Sequence, residues 1–182
     1  PKVLDRAHVI EFKIAADEMA SFLEADKMVN RHACRGACAG MAEDFLARTN
    51  ACAVGADTSS VQGTLNGFFK ELKSVNAEFG YRTASEIYRY INNVGDELGK
   101  HGAIDTAILQ KLLPKLHGSR KKLSPVLNAL WKLCFAENSS ISIEGVKEFA
   151  EVEGIIYKHT AEKIFRMYKA VVDNGFTSFA EA

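Results

Sequence analysis

The feature of the sequence that most limits the fold is a helical spacing of apolar residues along most of the chain. Apolar side chains repeat every three or four residues in five stretches, namely 61–75, 87–98, 104–112, 123–134 and 161–172. Such stripes predict amphipathic helices, each burying one face. Shorter helices are expected over 16–24 and 37–48. The pattern therefore predicts an all-α helical bundle, with Trp131 in the core because it lies on the fourth stripe.

Local signals suggest where these helices begin and end. Thr83 and Glu86 have the spacing of a capping box, which predicts a helix that starts immediately after Arg82. Pro114 should end or kink the helical run before it. Ser124-Pro125 has the form of an N-cap and first helical residue, and Asn174-Gly175 that of a helix stop.

The start of the chain has a different pattern. Residues 3–12 form a β-prone segment that ends in apolar residues, and Val9 to Phe12 is predicted to be a short strand. The remainder supplies no second strand of this kind. The expected fold is thus a helical bundle with a short N-terminal β-strand.

Charge and composition exclude several classes of function. Lys plus Arg and Asp plus Glu both number 23, so net charge gives no bulk attraction to nucleic acid or membrane. No apolar run is long enough to cross a bilayer, and a cytoplasmic protein with no membrane partner is expected. The four cysteines are expected to be reduced thiols. His32, Cys34, Cys38 and Cys52 could bind a metal, but no pair of cysteines has the C-x-x-C spacing of a zinc site. These cysteines are therefore expected to be small buried side chains, and no metal is predicted.

Motifs for catalysis are missing from the sequence. Gly99-Lys100 is followed by His101 rather than Ser or Thr, and no glycine precedes it at the Walker A spacing. The G-x-S-x-G and H-E-x-x-H patterns are also absent. The chain by itself is expected to be catalytically inactive and to bind no cofactor.

Arg82 is the first candidate site residue. A helix N-terminus already favours anions through its free N–H groups and its dipole, and a guanidinium there adds a bidentate phosphate donor. Arg82 is therefore predicted to contact a phosphate group. A structural salt bridge is the alternative.

A basic turn over residues 115–122 is the second candidate. Gly118 and Ser119 can expose backbone donors within it. Its cations are Lys115, His117, Arg120, Lys121 and Lys122. Three interpretations remain open: contact with a subunit or partner protein, a solvated loop, or contact with DNA phosphates.

Four segments of the chain carry a resemblance to a known family. They are residues 1–12, the tripeptide Gly80-Tyr81-Arg82, the run 108–120 that ends in Lys-Leu-His-Gly-Ser-Arg, and Gly175-Phe176. Together they resemble the C-terminal part of McrB-like AAA+ NTPases of restriction systems. The resemblance implies that 1–14 is the last strand of a nucleotide-binding core and that 15–182 is an AAA+ helical lid.

The resemblance also implies roles for two arginines. Arg6 matches the position of an arginine finger that reaches the nucleotide of a neighbouring subunit, although a surface ion pair is its alternative. Arg82 resembles the sensor-2 arginine of the lid. The full-length protein would bind ATP or GTP with Mg²⁺, form a homo-oligomeric ring, and act on DNA in phage defence with a McrC-like nuclease subunit.

A second hypothesis makes the chain a free-standing helical module. It would bind nucleic acid or protein through the basic turn, and Val9 to Phe12 would then be fully integrated into the fold. Steeply salt-dependent DNA binding would favour this hypothesis over the first.

Overall fold

The computed structural model describes residues 3–4, 6–25, 32, 35–50, 59–136 and 141–182. Cys34 and Cys52 lie outside these ranges. The all-α prediction is confirmed, since the described chain is mostly helical with one small sheet.

Six α-helices and two strands follow one another along the described chain. They are α1 (Ala16–Glu24), α2 (Ala42–Asn50), α3 (Ser59–Lys73), α4 (Tyr81–Ala107), β1 (His117–Ser119), α5 (Arg120–Lys132), α6 (Lys158–Asn174) and β2 (Phe176–Ser178). A π-helix (Ile108–Leu112) and a 3₁₀ turn (Leu113–Lys115) separate α4 from β1. Two further 3₁₀ turns, Ile143–Gly145 and Phe149–Glu151, lie between α5 and α6.

The chain divides into two compact units. One comprises Pro1–Val9 with Ala53–Ala182, and the other Ile10–Cys52. The smaller unit contains α1 and α2, and α1 buries no residue. Large apolar side chains of this unit are exposed, Phe12 by 90% and Phe45 by 67%. The division at residue 14 into a nucleotide-binding core and a lid stays a prediction. It follows from the resemblance to a family, whereas the two compact units are defined by contacts within the structure.

Trp131 belongs to the hydrophobic core of the larger unit, as its stripe predicts. It is fully buried and contacts the rings of Phe135, Phe149 and Phe165 at centroid distances of 5.2, 6.3 and 6.1 Å. Its indole N–H donates to the Ile141 carbonyl oxygen at 2.8 Å. The buried faces of α5 and α6 pack together around it.

Asp105 joins the second half of α4 to the start of α6. Its carboxylate accepts the backbone N–H groups of His159 and Thr160, each at 2.8 Å. Because Tyr157 provides no side-chain cap for α6, the carboxylate of another helix takes that role.

Upstream of Asp105, α4 breaks at Gly99, whose φ of 69° favours glycine. Leu98, expected on the apolar face, is 50% exposed beside this break.

The small sheet was not predicted from the sequence. β1 and β2 are antiparallel, with His117 opposite Ser178 and Ser119 opposite Phe176. Gly175 leads into β2 with a φ of 76°, and α6 ends at Asn174 as predicted. The Gly175 carbonyl also accepts the Arg120 N–H at 2.8 Å, so the sheet fixes the start of α5.

The predicted N-terminal strand is wrong. Residues 7–15 form neither helix nor strand, and the Val9 N–H donates to the Gln110 carbonyl in the π-helix at 3.0 Å. The segment is β-prone, but a strand requires a ladder partner, and within the described residues the only sheet is formed by β1 and β2.

The predicted start of α5 is also wrong. The helix begins at Arg120 with Ser119 as N-cap, so Pro125 lies inside it, and Arg120, Lys121 and Lys122 form its first turn. Pro125 is exposed on the solvent face. Pairing of the preceding residues with β2 sets the start of α5 five residues earlier than the proline suggests.

Candidate functional site

The candidate site lies at the start of α4. This helix begins at Tyr81 with Gly80 as N-cap, and Gly80 provides no side-chain hydrogen bond. The capping box predicted at Thr83 and Glu86 is therefore wrong. Thr83 is 2% exposed inside the first turn because it belongs to the buried face. Arg82 consequently lies within the first turn, where the dipole is positive and no acidic residue is present.

Glu86 bridges two cations at this helix start. One carboxylate oxygen accepts the Arg82 Nε–H at 2.8 Å, and the other accepts the Lys111 ammonium. These contacts hold the pKa of Glu86 at about 2, with the Arg82 hydrogen bond the largest cause and the Lys111 hydrogen bond the next. The carboxylate is thus ionised at neutral pH, and the three side chains together carry one surplus positive charge.

The three side chains differ in exposure. Arg82 is 65% exposed, Glu86 28% and Lys111 only 1%. Lys111 belongs to the π-helix, a rare conformation often found at functional sites. A buried ammonium is costly unless paired, so Lys111 requires the Glu86 carboxylate. Of the two cations, Arg82 is the one that a solute can reach.

The N-terminal segment contacts the same π-helix. Besides the Val9 hydrogen bond to Gln110, the His8 ring lies 5.7 Å from the Tyr90 ring of α4. Partial burial, followed by the Lys111 charge, lowers the pKa of His8. Arg6 is exposed two residues before His8, and its neighbour Asp5 lies outside the described residues. Arg6, the predicted arginine finger, therefore lies on a segment that is hydrogen-bonded to Gln110, the residue before Lys111.

An open groove of about 670 Å³ borders the start of α4. Its walls come from α3, from the turn before α4 and from the first two turns of α4. The lining includes four aromatic residues, Phe69, Phe79, Tyr81 and Tyr88. Tyr81 is 96% exposed and directly precedes Arg82. Arg82 itself is not among the residues that line the groove.

The predicted basic turn is spread over three structural elements. Lys115 ends the 3₁₀ turn and its ammonium donates to the Glu78 carbonyl at 3.2 Å. His117 opens β1, and its Nδ1 lies 3.0 Å from the Lys115 carbonyl oxygen. Arg120, Lys121 and Lys122 are exposed in the first turn of α5, with Arg120 reaching the Val172 carbonyl at 3.4 Å. Only the last three cations form a compact exposed group.

Two of the four cysteines lie within the described residues, and the expectation of burial is wrong for one of them, Cys38. Cys38 is exposed as a free thiol in the smaller unit, and Cys134 is buried in the larger. Burial, followed by the charge of Asp105, raises the pKa of Cys134 well above its usual value. Among the described residues no cluster of three or more His, Cys, Asp or Glu side chains could hold a metal ion.

The structural salt bridge that was the alternative for Arg82 is present, with Glu86 as its partner, but sequence reasoning identified neither Glu86 nor Lys111 as a member of a charged network. The Arg82–Glu86 pair has the i, i+4 spacing of a helical ion pair, a signal that the capping-box interpretation displaced. Lys111 lies 25 residues further along the chain, and no local pattern connects it to Glu86.

Fold and site together define a helical protein with a charged network at one helix start. The chain belongs to the DUF8727 family, which is described as a domain of unknown function and matches residues 29–176. This range contains Arg82, Glu86 and Lys111, whereas Arg6 precedes it. No curated protein and no solved structure matches the chain. None of the helices in the described part of the chain is long and apolar enough to span a membrane.

Proposed function

We propose that this chain is the lid of a McrB-like AAA+ NTPase and that Arg82 contacts the nucleotide phosphates. The observation that carries the proposal is the position of Arg82, exposed in an uncapped first turn. The free N–H groups of the first turn and a guanidinium in that turn are two kinds of donor that bind a phosphate, and Glu86 engages the Arg82 side chain through its Nε–H.

Charge balance supports the same assignment. Glu86 neutralises one of the two cations that it contacts, and the α4 N-terminus adds a partial positive charge of roughly half a unit. An anion beside Arg82 would complete the balance. A phosphate-bearing ligand has the required charge and hydrogen-bond acceptors.

The remaining parts of the proposal follow the resemblance. The full-length protein binds ATP or GTP with Mg²⁺ in a core that precedes the lid, forms a homo-oligomeric ring in the cytoplasm, and acts on DNA with a McrC-like nuclease subunit. Arg6 then acts across the subunit boundary, where a cation supplied in trans stabilises charge on the γ-phosphate. Because the segment that carries Arg6 is hydrogen-bonded to the π-helix, a movement of the lid would also move Arg6.

Nucleotide hydrolysis by the full-length protein tests the role of Arg82. Replacement Arg82→Ala should lower turnover at least about tenfold, because loss of a preorganised donor to transition-state charge has effects of this size or larger. Arg89→Ala, an exposed arginine on the same helix, is the matched control and should leave turnover unchanged. Equal turnover in both variants and wild type would remove the assignment.

A second candidate function rests on the first turn of α5. Three consecutive cations occupy it, although the helix dipole disfavours positive charge there. An arrangement that lowers helix stability but concentrates exposed positive charge favours binding of a polyanion such as DNA. This is the hypothesis of a helical module that acts through residues 115–122.

Binding to duplex DNA at several salt concentrations tests this second candidate. The variant Arg120→Gln/Lys121→Gln should bind at least about tenfold more weakly and show a shallower salt dependence. Lys70→Gln/Lys73→Gln, at the C-terminal end of α3, removes the same charge elsewhere. Equal losses in the two double variants would attribute binding to net charge and contradict the candidate.

A further inference from the structure

The smaller unit contains an amphipathic helix with no buried side chain, and the larger unit contains the open groove beside α4. We infer that α1 of one copy of this chain docks in the aromatic groove of a second copy, the groove lined by Phe69, Phe79, Tyr81 and Tyr88. The inference rests on the homo-oligomer of the proposed function and names its contact surface.

α1 has the properties of a helix that requires a partner. Its apolar side chains Met19, Phe22 and Leu23 have the i, i+3, i+4 spacing of one face, yet they are 42%, 43% and 69% exposed. None of the described side chains of Ile10–Cys52 is buried. Because a helix of nine residues is marginal in water without tertiary packing, α1 is expected to be stabilised by a surface outside its own unit.

The aromatic groove is long enough for the apolar face of α1. Gln62, Asn66 and Phe69 line the groove from one face of α3, along roughly 10 Å at 1.5 Å per residue. The apolar side chains of α1 start within roughly 6 Å of helix. Amphipathic helices dock in hydrophobic grooves through anchors with this spacing, so the two surfaces match in length and in kind.

Cations border the aromatic groove. Lys73 lies four residues after the last lining residue of α3, on the same helical face, and is exposed. The Lys115 ammonium donates to the backbone carbonyl of Glu78, which carries the one charge among the described lining residues. Arg82 directly follows Tyr81 and belongs to a network with one surplus positive charge. The surroundings of the groove therefore favour an acidic partner.

α1 is acidic and has the required charge. Asp17 and Glu18 are in its first turn, Glu24 is its last residue, and the helix contains no Lys or Arg. The same composition disfavours a symmetrical contact between two α1 helices, because that contact would bring like charges together. A contact between two different surfaces of the same chain is heterologous, and such contacts build rings or open filaments.

Two double variants each alter one side of the contact without removing a buried side chain. Phe22→Ser/Leu23→Ser removes two apolar anchors of α1. Gln62→Glu/Asn66→Glu adds two negative charges to the groove at exposed positions. Urea denaturation with fluorescence of Trp131, the single tryptophan of the chain, checks the fold of each variant.

Each double variant has a matched control. Phe176→Ser removes an aromatic side chain of similar exposure, 49%, from β2. Arg89→Gln/Asn93→Glu lowers the charge by the same two units at exposed positions of α4 outside the groove lining. Both controls should assemble as the wild type does.

Sedimentation velocity of the 182-residue chain over a range of concentrations measures the assembly. Wild type should form dimers and larger species at roughly 10–100 µM, because a contact made by one short helix is smaller than a standard interface and correspondingly weak. Each double variant should weaken assembly at least about tenfold. A wild type that stays monomeric would overturn the inference, and so would variants that assemble as well as their controls.

A mixture of the two double variants identifies the contact. The α1 variant keeps an intact groove and the groove variant keeps an intact α1, so the mixture should form a one-to-one dimer and no larger species. Docking of α1 within its own chain would leave wild type monomeric, and a symmetrical contact would not be restored by mixing. A mixture without the dimer would overturn the inference.

Assembly and nucleotide turnover are separate measurements. A monomeric wild type would leave the proposed function to the hydrolysis assay of Arg82→Ala. Conversely, unchanged turnover in Arg82→Ala would contradict the NTPase assignment, while a dimer restored by mixing would still support the docking of α1 in the aromatic groove.

Discussion

Removal of the Asp105 carboxylate should destabilise the larger unit more than any other loss of a single acidic group. Asp105 is 3% exposed and accepts two backbone N–H groups at the start of α6. The substitution Asp105→Ala deletes both acceptors. The hydrogen bond from the Thr160 hydroxyl to the Asp105 backbone carbonyl survives, so the two helices keep one polar contact.

The magnitude follows from the environment of the two donors. The Thr160 N–H is buried and loses a charge-assisted bond without access to water, which costs about 2 kcal/mol. His159 is exposed, so water replaces part of its lost bond and about 1 kcal/mol is expected. The sum is a loss of about 3 kcal/mol, and with an m-value of about 2 kcal/mol/M the urea midpoint falls by roughly 1.5 M. Asp105→Asn keeps one acceptor and should lose about half as much.

Urea denaturation followed by Trp131 fluorescence provides the assay, because the indole is fully buried in the same unit. Asp173→Ala is the matched control. Asp173 is exposed in the last turn of α6, where a negative charge is unfavourable, and its removal should leave stability within about 0.5 kcal/mol of wild type. If Asp105→Ala lowered the midpoint no more than Asp173→Ala, the cross-helix cap would not contribute to stability.

Two further predictions concern stability. Gly175→Ala should cost about 1–2 kcal/mol because its φ is 76°, whereas Gly63→Ala, in open space within α3, should be neutral or stabilising; thermal melts of both variants check the contrast, and equal losses would contradict it. The second prediction is a pH dependence. The pKa of Glu86 falls from 4.5 to about 2 on folding, so its contribution is present above pH 4.5 and is lost as the pH falls towards 2. The difference in urea midpoint between wild type and Glu86→Gln should therefore shrink between pH 5 and pH 2, and a constant difference would refute the ion-pair explanation.

The sequence predicts those parts of the fold that depend on local spacing. The apolar stripes identify α3, α5 and α6, α1 spans the predicted residues 16–24, and Gly175 marks the end of α6. The second helix begins at Ala42 rather than residue 37. In these elements burial of one helical face agrees with local propensity, so a short window of sequence is enough.

Tertiary contacts decide the elements that were predicted wrongly. β1 and β2 have three residues each, too few for a period-two signal, and they exist because residues 117–119 and 176–178 meet in the fold. Gly80 takes the N-cap position of α4, since Thr83 is needed on the buried face. The segment around Val9 bonds to Gln110, a contact that propensity does not specify.

Lys111 shows why the charged network could not be found from periodicity alone. Ile108 and Leu112 form an i, i+4 apolar pair, and an uninterrupted α-helix would bury that face with Lys111 beside it. The π-helical turn spanning these residues changes the register, so that Ile108, Lys111 and Leu112 are all buried. Burial of an ammonium in this way is tolerated only because Glu86 meets it from α4. The irregular turn and the ion pair thus depend on each other. Glu86 also accepts the Nε–H of Arg82, the residue on which the proposed phosphate contact depends.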